Sequence, residues 1–258
     1  MTRRGFRQIA TLPAAPDGVK LVEVEVAGAS YQVPASSLGG GLASIFNQYT
    51  ALQCPFSSDF ADLKGNLDTE TGTVAIAADG NVPSGFSAQF SGAGGRVQFP
   101  SAASLNFGNG NFTLGGWFRT SMTTQYGALF TRDQGSTEAW TCLVNIDSAS
   151  DGKIAFYQLA LGQVVKTSGG GYNNGVRHHI EITRNGCQFS IWIDGLLAGT
   201  TQYVSFDVFA VSTSGLQFGN SQTAARAFLG ALDNWYIMKG IALHTVPFTV
   251  PVPPLPTS

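Results

Sequence analysis

No hydrophobic run in this chain approaches the roughly 20 residues that a membrane-spanning helix requires. Residues 1–18 carry arginines but nothing like the apolar stretch of a secretion signal. Both absences argue against membrane insertion and for folding in a cytoplasm. Charge is also scarce. Only 12% of residues are charged, and a formal net charge of −2 with a pI near 5.9 supplies no basic face to neutralise phosphates, which argues against nucleic acid as a partner. Three cysteines, Cys54, Cys142 and Cys187, are too few and too scattered for a metal knuckle, and an odd number cannot pair fully within one chain. They read as buried thiols.

What the chain does have is glycine, 32 residues in 258, together with abundant Thr, Val and Phe, a composition that suits short strands joined by turns. The stretch 178–200 organises the rest. Two alternating runs meet at Asn185-Gly186, a pair suited to a type I′ turn. That turn predicts an antiparallel hairpin with Ile182 opposite Phe189, Ile180 opposite Ile191 and His178 opposite Ile193 on an apolar face. The opposite face, with Thr183 and Gln188, Glu181 and Ser190, and His179 and Trp192, is polar and predicted to be exposed. Asp194-Gly195 repeats the turn chemistry and predicts a three-stranded meander.

In chain order, residues 1–18 open basic and become Ala/Pro-rich, an arm that needs a partner to order it. Residues 19–26 and 30–33 predict a short hairpin, and a lone hairpin is marginal in water. Gly39-Gly40-Gly41 reads as a hinge, while 43–52 fits either a brief helix or a strand. Beyond it, alternation predicts strands at 73–77, 86–90, 96–99, 112–120, 128–131, 141–146, 153–159 and 164–168, then 216–220, 227–229 and 232–238 after the meander. Turn signals at Asp79-Gly80, Gly94-Gly95, Asn109-Gly110 and Asp151-Gly152 separate several of them. A proline-rich stretch over 247–256 can lie extended across a sheet. The fold class is thus all-β, an antiparallel jelly-roll β-sandwich with a short N-terminal β-hairpin anchor. Its divisions are an arm and hairpin at 1–38, a linker at 39–49, the sandwich at 50–250 and a proline-rich tail at 251–258.

Several segments carry a resemblance. Residues 87–92 (SAQFSG), 97–100 (VQFP), 105–108 (LNFG) and 112–119 (FTLGGWFR), followed by His178-His179-Ile180, Ile193-Asp194-Gly195, 229–233 (LGALD) and 239–243 (KGIAL), resemble the concanavalin-like, laminin-G-type jelly-roll family. The ending resembles versions found in tailed-bacteriophage structural proteins, and residues 31–38 resemble a phage attachment segment, with Tyr31, Val33 and Pro34 as anchor residues. The resemblance implies a virion structural protein made in a bacterial host cytoplasm, such as a capsid decoration, collar or tail-fibre subunit. It would contact other virion proteins through the arm and form a homo-oligomer. The alternatives are a carbohydrate-binding receptor module that meets a host surface glycan, and a polysaccharide-active enzyme of the same fold. Arg177 stands where the family usually has an aromatic residue.

A glycoside-cleaving enzyme needs a pair of converging carboxylates. No strand carries such a spacing, so the expectation is no enzyme and no catalytic residue. The resemblance allows calcium, with Asp147, Asp151 and Asp233 as the weak candidates, but Ala149 interrupts the ligand pattern and a turn capped by Asp side chains reads better. The expectation is no cofactor. Trp117, Phe118, Phe189 and Trp235 read as core. Trp192, with His179, Glu181 and Gln188 on its face, is the ligand or interface candidate, serving either as a packing surface or as a sugar platform.

Overall fold

The computed structural model describes residues 21–26, 29–34, 46–92, 94–134, 137–158, 161–203, 214–221, 226–250, 252–253 and 255. The Gly39–Gly41 hinge, the arm at 1–18 and part of the proline tail lie outside them. Among the described residues the strands are β1 (Leu21–Val26), β2 (Ala29–Pro34), β3 (Thr50–Cys54), β4 (Thr69–Thr71), β5 (Val74–Ala78), β6 (Phe86–Ser91), β7 (Arg96–Phe99), β8 (Phe112–Arg119) and β9 (Gly127–Gln134), followed by β10 (Thr137–Val144), β11 (Ile154–Gln158), β12 (Gly162–Lys166), β13 (Arg177–Asn185), β14 (Gln188–Ile193), β15 (Leu196–Gln202), β16 (Leu216–Phe218) and β17 (Leu229–Lys239). No helix among them is long and apolar enough to cross a membrane.

Two antiparallel sheets form the sandwich. One has the order β12-β11-β10-β9-β16-β7-β4, and the other β15-β14-β13-β8-β17-β6-β5, with β3 also paired to β17. Strands β1 and β2 make a sheet of their own, carrying Tyr31, Val33 and Pro34 on β2. Apolar residues at alternate positions meet between the large sheets, where Phe112, Phe118, Phe130, Trp140, Phe156 and Trp235 are buried. The Gly115-Gly116 pair on β8 is required by β17. A Cβ at Gly116 would come within 2.4 Å of the Trp235 ring, and one at Gly115 within 2.4 Å of Tyr236, which lies on the opposite face. Of the ambiguous stretch 43–52, the described residues form a helical turn at 46–49 and then β3, and the two strands expected near 227–238 join as β17, where Asn234 takes a φ of 49°.

The central hairpin corrects one expectation. Asn185 pairs with Gln188, so the loop is Gly186-Cys187 and not Asn185-Gly186, and the partners become Ile180 with Ile193 and Ile182 with Ile191. Gly186 alone has positive φ, as a type II′ turn needs. Its amide donates to Asn111 Oδ1 at 2.8 Å, a tertiary partner that favours this turn over the local preference, and its carbonyl accepts from the neighbouring Arg184 Nε at 2.9 Å. Moving the turn by one residue shifts each pairing by two, which leaves every side chain on its expected face. The shift places Cys187 in the turn, only partly buried. Asp194-Gly195 forms as expected, with φ of 52° and 79° and Ile193 paired to Leu196.

On the polar face of the hairpin the structure realises the packing alternative and not an exposed surface. The outer face of the second sheet is covered by residues 241–250, which dock through Thr113 Oγ1, donating to Ile241 O (2.9 Å) and accepting from Leu243 N (2.8 Å), and through Phe248 N donating to Gly195 O (3.0 Å). Phe46, Tyr236, Met238, Ile241, Leu243 and Leu255 form a second core there.

Candidate functional site

Strand β13 points His179 and Glu181 into this covered layer, and β14 adds Trp192 beside them. His179 and Glu181 are fully buried and Trp192 is 3% exposed; of the four expected outward residues only Gln188 faces solvent. Glu181 is the hub. Its carboxylate accepts from the Tyr236 hydroxyl at 2.8 Å, reached over Gly115, and from His244 Nδ1 at 2.9 Å. Phe248 stacks on the His244 ring, 3.5 Å between centroids and 8° from parallel, and closes the layer against Trp192. Trp192 Nε1 donates to Thr183 Oγ1 at 3.1 Å, so its polar edge is satisfied inside the protein. A sugar cannot reach this ring. The polar face is legible as polar, yet its exposure is not, because the side chains of Tyr236 and His244 supply partners that water would otherwise provide and Phe248 covers them.

Burial, outweighing the nearby Glu181 carboxylate, pushes the His179 imidazole down from its ordinary 6.5 to about 4. The unfolded chain therefore binds a proton between those values that the folded chain does not, and stability falls as pH drops from 6.5 toward 4. The expected loss is about 1.4 kcal/mol per pH unit. Denaturant unfolding at pH 7, 6 and 5 checks this, with His179→Gln flattening the slope; equal slopes in the two proteins would refute the assignment. The carboxyl of Asp194 does not obscure the test. Although burial raises it, the hydrogen bond from His178 holds it below the ordinary 3.8, so it acts at lower pH.

The three weak calcium candidates are not brought together. Asp147 meets Lys153 Nζ at 2.8 Å and Lys166 Nζ at 3.1 Å, Asp151 caps the amides of Asp147, Ser148 and Lys153, and Asp233 takes the Arg177 guanidinium in a two-pronged pair. Their oxygens are occupied by cations and amides, so they do not fit a calcium ion. Among the described residues no three His, Cys, Asp or Glu side chains gather at a metal-binding spacing. Arg177 also explains a departure noted in the sequence. Its guanidinium lies 3.7 Å from the Trp117 ring centroid, so Trp117 sits half-buried on the outer face under that cation and is not a core residue.

A cavity of about 360 Å³ opens on the other side of the sandwich, on the outer face of the first sheet. Tyr126, Tyr157 and Arg226 line it with Trp140, Thr141, Leu143, Gln158 and Gly162. Tyr126 precedes β9 at φ 64°, and the Arg226 guanidinium lies 4.9 Å from its ring centroid. The Arg226 carbonyl accepts from Ala128 N at 2.9 Å, which fixes this residue beside β9. Leu143, Ala128 and Ala155 pack under the two tyrosines as a small separate core. Sequence reasoning missed this site because its parts lie on β10, β11, the start of β12 and two loops and share no local pattern.

A family model described as the concanavalin A-like lectin/glucanases superfamily matches residues 91–243. No curated protein sequence matches the chain. Among solved structures, the binding domain of Paraclostridial mosquitocidal protein 1 superposes with a TM-score of 0.61 at 15% identity, covering 77% of this chain and 50% of that one. Domain 4 of AbnA, a GH43 extracellular arabinanase from Geobacillus stearothermophilus in complex with arabinotriose, gives 0.55 at 18% identity, covering 76% and 95%. The binding domain of botulinum neurotoxin DC in complex with SialylT gives 0.54 at 14%, covering 76% and 49%. The chain thus spans about half the length of the two toxin domains and nearly all of the arabinanase domain.

Proposed function

Because the chain belongs to the concanavalin A-like lectin/glucanases superfamily, we propose that it is a non-enzymatic structural protein of a phage particle, held to other virion proteins through residues 1–38 and displaying its sandwich as a capsid decoration, collar or tail-fibre subunit. The observation that carries this reading is the β1–β2 hairpin, which among the described residues pairs with neither large sheet. A lone two-stranded ribbon is marginal in water and calls for a partner surface. The non-enzymatic part is supported by Glu181, which is sealed from solvent, and by Asp233, which is paired with Arg177; a carboxylic acid that cleaves a sugar must reach its substrate. Deleting residues 1–38 is expected to leave a folded sandwich that no longer joins particles of the parent phage. Incorporation of the truncated protein at the full-length level would refute the anchor.

A second reading, carbohydrate recognition by the displayed sandwich, is favoured by the aromatic cavity at Tyr126 and Tyr157. The relatives of this fold captured with arabinotriose and with SialylT make it the natural companion of a display role. A glycan array on the purified chain, with and without calcium, tests it directly.

A further inference from the structure

We propose that β5, an edge strand of the second sheet, pairs antiparallel with β5 of a second copy of this chain about a two-fold axis at Ile76; the inference holds whichever partner residues 1–38 take. The backbone is the first argument. Asp79 N donates to Gly85 O at 2.8 Å and Ser91 N donates to Thr73 O at 3.4 Å, and between them β5 and β6 pair in unbroken register from Val74 with Phe90 to Ala78 with Phe86. Odd-numbered residues of β5 therefore turn their N–H and C=O groups to β6. Those of Val74, Ile76 and Ala78 point away from the sheet, where no further strand follows among the described residues. Such a row of groups is a template for another strand.

The other edges of the two large sheets are closed or guarded. The β12 and β15 edges lie against each other, with Ser168 N donating to Ala198 O at 2.8 Å and the Tyr203 hydroxyl donating to Val164 O at 3.3 Å. Beside β3, Gln53 N donates to Asp62 Oδ1 at 2.6 Å and Gln53 O accepts from Leu63 N at 2.9 Å. Strand β4 has three residues, one of them Glu70, and follows Asp68. By contrast, residues 72–78 hold no charge and no proline, and β5 carries no bulge.

Side chains decide what fits this edge. Val74 and Ile76 pack on the main core yet stay partly exposed, and Phe86 beside Ala78 is 46% exposed, so the core is open along this flank. In the two-fold register that uses all three outward residues, Ile76 faces Ile76 and Val74 faces Ala78, which gives about six hydrogen bonds, two for each facing pair. Apolar surface covers apolar surface, and no charge on the strand meets another. Because the far edge of the sheet, β15, is closed against β12, the contact ends at two copies and does not grow into a fibre.

An edge of five residues buries less than a standard interface, so the association is weak, with a Kd on the order of micromolar. Sedimentation velocity of the full chain over a concentration series is expected to show a species near twice 27.1 kDa that grows with concentration. In that species hydrogen exchange should show the amides of Val74, Ile76 and Ala78 protected. Ile76→Lys, which sets two like charges across the axis, should weaken association about tenfold or more. Ala78→Pro should do the same, because it removes an outward N–H and leaves both the β6 ladder and the core side chains in place. Near-ultraviolet circular dichroism confirms the fold of each variant. A single chain at every concentration up to about 1 mM, a dimer that both variants leave intact, or a dimer without protection along β5 would overturn the proposal. Each of these results leaves the particle-anchor reading to its own deletion experiment.

Discussion

Replacing Glu181 with alanine is expected to cost about 4 kcal/mol of folding stability, the combined size of a buried void and of buried donors that lose their acceptor. The change removes the carboxylate acceptor of two groups at once. His244 Nδ1 and the Tyr236 hydroxyl both donate to this carboxylate, neither can reach water, and the missing side chain leaves a void at the centre of the covered layer. The effect should spread to residues 241–250, because His244 carries the stack with Phe248 that closes the layer. Urea unfolding of the full chain measures the loss, and Glu181→Gln, which keeps the shape and an acceptor, should cost clearly less. A loss below about 1 kcal/mol for the alanine variant, the level of an exposed pair, would mean that the layer is open in solution.

Trp192→Ala should cost about 3 kcal/mol, within the range for truncating a buried aromatic. Its ring is 3% exposed, packs 6.0 Å from Phe248, and gives its only N–H to Thr183. A sugar platform would behave in the opposite way, losing ligand and keeping stability. The variant should therefore unfold at lower denaturant and, while folded, give the same glycan-array result as the unmodified chain, since Trp192 and the Tyr157 cavity lie on different sheets. Unchanged stability together with lost sugar binding would move the recognition site to this ring.

Alternation along 178–193 was enough to assign both faces of the central hairpin, and the wrong turn did no harm because the error shifted pairing by an even number of residues. The metal candidates show the same economy. Asp151 caps its turn as the Asp-Gly spacing suggests, since that interaction spans a few residues.

Period-two patterning and Asp-Gly turns are local, and they determined the all-β class, most strands of the sandwich though not β4 at Thr69–Thr71, and the I′ turn at Asp194-Gly195 without reference to anything distant. Tertiary structure decided what covers what. A polar residue on a strand reads as exposed until a partner arrives, and for His179 and Glu181 the partners come from residues 236, 244 and 248, more than 50 positions away. Tyr126, Tyr157 and Arg226 share no local periodicity, so their convergence exists only once β9, β10 and β11 are paired and the chain returns beside Ala128. Burial and pocket formation are properties of contacts between distant segments, and no window of sequence contains them.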